Sequence, residues 1–165
     1  MNMRPLTTQP FVPTAWHHAL ATLPPALTVE SGDVLVTETI DANGWDKNGN
    51  KAWKASNPMN GPIAIAGAEP GDSLRVDILA MQPIRSHGFT RASVAANVVD
   101  PDFAAKLPPR VRASWSIDRN ALTAQLDDGS GPILPLAPMI GCFGVASEGR
   151  QAISTATSGA HGGNP

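Results

Sequence analysis

Apolar and polar residues alternate in three stretches of this chain, and a turn interrupts each one. In the first, Leu27 and Val29 lead into Ser31-Gly32-Asp33, and Val34, Val36 and Glu38 continue the alternation to Asp41. In the second, Ile63 and Ile65 precede Glu69-Pro70-Gly71-Asp72, with Leu74, Val76 and Ile78 following. In the third, 111–117 and 121–126 flank Asp118-Arg119-Asn120. A period of two puts alternate side chains on one face of a strand, so each stretch reads as strand, turn, strand with one buried face. Proline pre-sets one turn dihedral and glycine supplies a positive φ. The expectation is therefore three hairpins, and the recurring Gly-Asp turn favours stacking or pairing of the first two.

Elsewhere the pattern is weaker. The chain up to Pro25 is rich in proline and threonine, and 15–23 reads as a helical turn or an extended arm. Residues 43–56 are polar and full of turn formers, hence a loop, the place where function tends to sit on a rigid sheet. Residues 91–99 fit a strand or a short helix, and 102–106 fit one helical turn closed by Pro108 and Pro109. The apolar stretch 132–145 is broken by prolines, which implies edge or arched strands. The stretch 149–165 lacks periodicity and reads as loop. With 15 glycines and 16 prolines, short strands and tight turns suit the chain better than a helical bundle. The expected fold class is mainly β: a sandwich or partly closed barrel of antiparallel hairpins with little helix. At 165 residues it forms a single domain, 1–165.

Charge narrows the functional classes. The formal net charge is −2 and the lysines and arginines are unclustered, which argues against a nucleic-acid partner. Only 16% of residues are charged and tyrosine is missing, so the surface is sparsely charged and an oligomeric or interdomain contact is expected, a homo-oligomer foremost. The single cysteine, Cys142, excludes an internal disulfide and fits a reducing compartment. No apolar run follows Arg4 as a secretory leader requires, and 132–146, with its three prolines, is too short to span a bilayer. A soluble cytoplasmic protein with no membrane partner is the expectation.

Several side chains are candidates for chemistry. His161 lies in Gly159-Ala160-His161-Gly162-Gly163, where glycines let the backbone approach another group closely; it reads as a metal ligand or proton shuttle, or as part of a glycine-rich tail. Asp41 ends the first stretch and reads either as a metal ligand or catalytic carboxylate, or as a turn residue capping a strand. Glu38, three positions earlier, lies on a different face of an extended strand. His17 and His18 are adjacent and face opposite ways on an extended segment, so at most one meets a pocket; His87 has less context still. Trp45 and Trp53 on the polar loop fit either a pocket wall or packing, as does Trp115. Cys142 sits among Met139, Ile140, Phe143 and Val145, surroundings that raise a thiol pKa and make a nucleophilic role a poor fit. No Gly-x-Ser-x-Gly element supports a serine hydrolase.

Four segments together resemble the acetamidase/formamidase family. They are 27–41, the Gly61-Pro62 to Gly67-Ala68-Glu69-Pro70-Gly71-Asp72 run, 138–146 (PMIGCFGVA) and His161-Gly162-Gly163-Asn164. The resemblance spans nearly all of this chain but only the first half of the family's length. It implies hydrolysis of short aliphatic amides, such as formamide or acetamide, to a carboxylate and ammonia. It further implies a divalent metal, zinc, with His161 as a ligand and Asp41 as a second candidate, and it adds His17 and Asn164 as substrate-pocket candidates to Trp45 of the polar loop. The family's aspartate after the HGGN motif has no counterpart before Pro165, so the remaining ligands and the acid are expected from a C-terminal half or a second chain. A non-catalytic β-module that kept the fold and lost the site is the rival expectation.

Overall fold

The computed structural model describes residues 7–55, 57–91, 98–109, 111–147, 149 and 151–155 and the backbone of 162–163. Their strands are β1 (Thr8–Phe11), β2 (Ala19–Ala21), β3 (Leu27–Val29), β4 (Val34–Thr37), β5 (Ile63–Ile65), β6 (His87–Arg91), β7 (Arg112–Asp118), β8 (Thr123–Leu126), β9 (Leu134–Pro135), β10 (Phe143–Gly144), β11 (Ala152–Ser154) and β12 (Gly162–Gly163). A single α-helix among the described residues, α1 (Pro101–Ala104), falls between β6 and β7. The mainly β class with little helix is as the alternation implies, and the sheets do not close into a barrel. The chain divides into two units, Met1–Leu79 with Met139–Pro165, and Ala80–Pro138.

The Ala80–Pro138 unit holds an antiparallel sheet in the order β6-β7-β8-β9. Its centre is the third hairpin read from the sequence, β7 paired with β8 from Trp115↔Leu126 to Asp118↔Thr123. The Asp118 carboxylate makes the turn: Oδ1 accepts from the Asn120 and Ala121 backbone N–H groups at 2.9 and 2.8 Å. Those bonds, Ala121 first, hold its pKa below the usual carboxylate value. Along β7, Ala113, Trp115 and Ile117 are half-buried while Ser114 and Ser116 are exposed, the alternation expected of a one-sided sheet. Trp115 Nε1 donates to Thr90 Oγ1 at 2.9 Å across the β6–β7 pair. Pro135 lies on the edge strand β9, where a missing N–H is tolerated. Helix α1 fulfils the single helical turn, with proline at its start. His87 opens β6 opposite Ser116; residues 92–97 of the ambiguous stretch lie outside the described residues.

In the other unit the turns form as read, but the hairpins do not. Glu30-Ser31-Gly32-Asp33 and Glu69-Pro70-Gly71-Asp72 are built alike. In each, the Asp N–H donates to the Glu carbonyl at 3.1 Å. The Asp Oδ2 accepts from the Glu N–H, at 3.1 Å in the first and 2.9 Å in the second. The strands around them part company: β3 pairs in parallel with β5 (Leu27↔Ile63 to Val29↔Ile65), and β4 pairs in parallel with β1 (Thr8↔Val34 to Phe11↔Thr37). Residues 74–79 belong to no described strand. Both hairpin expectations are corrected, and the turn explains why. Its glycine occupies the third position with φ of 88° at Gly32 and 100° at Gly71, the requirement of a type II turn. Type II geometry splays the flanking strands, whereas the mirror-image turns follow their twist. The motif therefore makes a corner between sheets, and the two copies lie side by side through their first strands.

The 15–23 stretch takes the extended one of its two expected forms and carries β2. The reading of 149–165 as loop is corrected: the stretch contributes β11, antiparallel to β2 from Ala152↔Ala21 to Ser154↔Ala19. At three residues a strand is too short to show a period. This ladder is the best-buried part of the described structure. Leu20 is its one buried apolar side chain, flanked by buried Ser147 and Thr155.

Candidate functional site

Backbone and carboxylate hydrogen bonds build the 43–55 part of the polar loop, and Asp41 is its cornerstone. Asp41 Oδ1 accepts from Asn43 N at 2.9 Å and Trp45 N at 3.0 Å, while the Asp41 N–H donates to Trp45 O and the Gly44 N–H donates to Asp41 O. Asp46 repeats the device, its Oδ1 accepting from Asn48 N and Asn50 N at 2.9 and 2.7 Å. These carboxylates replace missing backbone partners, which is why Asp and Asn recur at such corners. Gly44 closes the loop: its carbonyl accepts from Ala52 N and Trp53 N, and a Cβ there would sit 2.3 Å from Trp53 O. Trp45 is partly exposed and bridges to Lys51, whose ammonium lies 5.4 Å from its ring. Glu38 forms an exposed ion pair with Lys47 at 2.9 Å.

A knot of polar contacts joins this loop to the β2–β11 ladder. Thr155 is wholly buried; its Oγ1 donates to Asn57 O at 2.7 Å and lies 3.1 Å from His18 O, and its N–H donates to His18 O. Asn57, at a positive φ of 50°, donates its N–H to Ala42 O, the residue after Asp41. His17 exchanges both backbone hydrogen bonds with Met59, at 2.9 and 2.7 Å, and the His18 ring lies 6.3 Å from that of Trp53. Trp53 Nε1 is buried and has no acceptor among the described residues. Cys142 Sγ reaches Met59 Sδ at 3.9 Å and Thr155 O at 3.8 Å, and burial pushes its thiol pKa up. That environment suits packing and opposes a thiolate nucleophile.

The predicted site residues thus divide. Asp41, Trp45 and His17 lie on one framework, tied together through Ala42, Asn57 and Thr155. His161 and Asn164 lie outside the described residues. The backbone of their neighbours is placed: Gly162 and Gly163 pair with Gly144 and Phe143, so the HGGN and PMIGCFGVA segments meet. Likewise the 27–41 and GAEPGD segments meet through β3 and β5. Sequence reasoning passed over Asn57 and Thr155, which knit the framework. Nothing in their local pattern distinguishes them; only the long-range pairing reveals them.

Among the described residues, no group of three or more His, Cys, Asp or Glu side chains is placed to hold a metal ion. The described helix has only four residues, so none is long and apolar enough to cross a membrane.

Comparison with known proteins covers the 27–41, 61–72 and 138–146 segments, while 161–164 lies beyond the matched residues. A profile of the acetamidase/formamidase family matches residues 3–152. A protein of Schizosaccharomyces pombe (strain 972) described as a putative formamidase is 30% identical over 101 residues, which cover 56% of this chain and 24% of the relative. The chain thus spans about a quarter of the length of that curated relative. No solved structure gives a significant match.

Proposed function

The chain belongs to the acetamidase/formamidase family, and from that membership we propose that it is one part of an amidase that hydrolyses short aliphatic amides of the formamide and acetamide type. The observation that carries this reading is the family match over residues 3–152. Water is consumed and the products are the carboxylate and ammonia. The amide is resonance-stabilised and its nitrogen leaves poorly, so a complete site must polarise the carbonyl, deliver hydroxide near neutral pH and protonate the nitrogen.

In this proposal the site is completed by a further polypeptide segment, C-terminal in family order or on a second chain. Its support is the match to about a quarter of the relative's length, together with the lack of a three-ligand group among the described residues. His161 is proposed as a ligand to a divalent cation, zinc, with Asp41 as a second candidate and Trp45, His17 and Asn164 near the substrate. When bound, such a cation supplies carbonyl polarisation and hydroxide. A cytoplasmic location belongs to the same proposal. The test is metal content and ammonia release for the completed enzyme with His161→Ala. Loss of both metal and turnover supports the assignment; full metal content with full activity removes His161 from it. The rival, a non-catalytic β-module, draws on the same lack of converging ligands, and a completed assembly without turnover would favour it.

A further inference from the structure

The chain contains three Asn-Gly pairs, 43–44, 48–49 and 60–61. Each offers a reaction internal to the chain: the glycine backbone nitrogen, once deprotonated, can attack the side-chain carbonyl carbon of the asparagine before it. Glycine suits this step because no Cβ shields its nitrogen and its dihedrals are free to turn toward the side chain. The pairs are alike in sequence, and their surroundings separate them.

Two of the pairs are held shut. Gly44 is buried, its N–H donates to Asp41 O at 2.8 Å, and its carbonyl accepts from Ala52 N and Trp53 N. A Cβ there would lie 2.3 Å from Trp53 O, so the backbone has no room to swing. Gly61 is buried as well, and Asn60 Nδ2, the group that would leave, donates to Thr37 Oγ1 and Glu38 O at 3.0 Å each. Asn48-Gly49 differs. Both residues are exposed, and a Cβ at Gly49 would meet nothing within 4 Å. The bonds that must open are local to one surface turn: Gly49 N–H to Asp46 O at 3.1 Å and Asn48 N–H to Asp46 Oδ1 at 2.9 Å. Backbone bonds in such a turn open at far lower cost than buried ones.

We propose that Asn48-Gly49 is a self-modification site, at which the polar loop deamidates in the folded chain while Asn43 and Asn60 are protected. Gly49 N loses its proton to base and bonds to Asn48 Cγ; the Cγ–Nδ2 bond breaks and ammonia leaves. Water then opens the cyclic imide at either carbonyl, giving aspartate or its β-linked isomer. The net change is asparagine and water to a carboxylate and ammonia, with nothing oxidised or reduced. Either product disturbs the turn. Aspartate adds a negative charge two residues from Asp46, and the β-linked isomer lengthens the backbone between Asn48 N and Asn50 N, the two donors that Asp46 Oδ1 receives. The ammonia is stoichiometric with the chain, and the proposal does not depend on the amidase reading.

The test is peptide mapping by mass spectrometry of the full chain held at pH 8, natively and in denaturant, with the β-linked product identified by isoaspartyl methyltransferase labelling. In the native chain Asn48 should convert at least about ten-fold faster than Asn43 or Asn60, because its turn opens locally. In denaturant the three rates should converge, since the surroundings that separate the pairs are gone. Asn48→Gln, whose longer side chain would have to close a larger ring, should remove the fast phase of ammonia release. Equal native rates at the three sites would overturn the proposal, as would faster conversion at Asn43 or Asn60. So would an Asn48 that stays intact natively while converting in denaturant, or a rate ratio that survives unfolding and so belongs to the sequence alone.

Discussion

Asp41, a candidate for chemistry in the sequence, also has an architectural role in the structure. Its Oδ1 receives two backbone N–H groups that start the loop carrying Trp45 and Trp53. Asp41→Ala leaves both donors without that acceptor and should cost about 1–2 kcal/mol of stability by denaturant unfolding, while Asp41→Asn keeps an acceptor oxygen and recovers most of it. Cys142 is a second case. Burial holds its thiol above the ordinary value of 9.0, so less thiolate exists at a given pH. Its alkylation by iodoacetamide at pH 8 should be slower than that of a free thiol, and the rate should keep rising past pH 9. The sequence reached this outcome by another route: the apolar neighbours Met139, Phe143 and Val145 are themselves exposed, and it is the distant Met59 and Thr155 that meet the thiol. Asp41 was ambiguous because a turn cap and a ligand use the same side chain at the same place.

At the scale of elements, the two Glu-x-Gly-Asp corners and the one true hairpin invite separate tests. Gly32→Ala and Gly71→Ala force a left-handed dihedral on an alanine and should each destabilise by about 1 kcal/mol in thermal unfolding. A Cβ at Gly71 meets nothing within 4 Å, so that cost would be dihedral alone. In the hairpin, the folded-state pKa of Asp118 is depressed below its ordinary 3.8 by the Ala121 and Asn120 N–H groups. Its contribution is therefore present above the unfolded value and is lost as pH falls through the folded one. A carboxyl titration by NMR should place the Asp118 midpoint below 3.8, and Asp118→Asn should flatten the acid limb of the stability curve. The β7–β8 hairpin was legible because both strands and the turn are local. The other two were not, since a Gly-Asp signature announces a reversal and leaves pairing to the turn type and to distant strands. β1 pairs with β4 and β5 with β3, from 8 and 63 onward, and no local pattern encodes those choices.

For the whole molecule, the family was legible because its signature is a set of ordered local motifs, and the structure brings those motifs together in two pairs, β3 with β5 and β10 with β12. The candidate site was less legible: its residues lie partly outside the described ones, and the framework depends on Asn57 and Thr155, which carry no motif. Among the described residues Leu20 is the one buried apolar side chain, while Val36, Leu74, Val76, Ile78 and Phe143 are all about half exposed or more. Apolar surface of this kind is what a completing segment would cover. The central claim is that this chain is a part of an amidase whose site needs such a segment. The most direct measurement is ammonia release from formamide and acetamide by the purified chain, alone and then with the C-terminal portion of an acetamidase/formamidase supplied in trans, with metal content read on the same samples. The account predicts no turnover alone and turnover with bound metal on completion. Turnover by the chain alone with stoichiometric metal would contradict it.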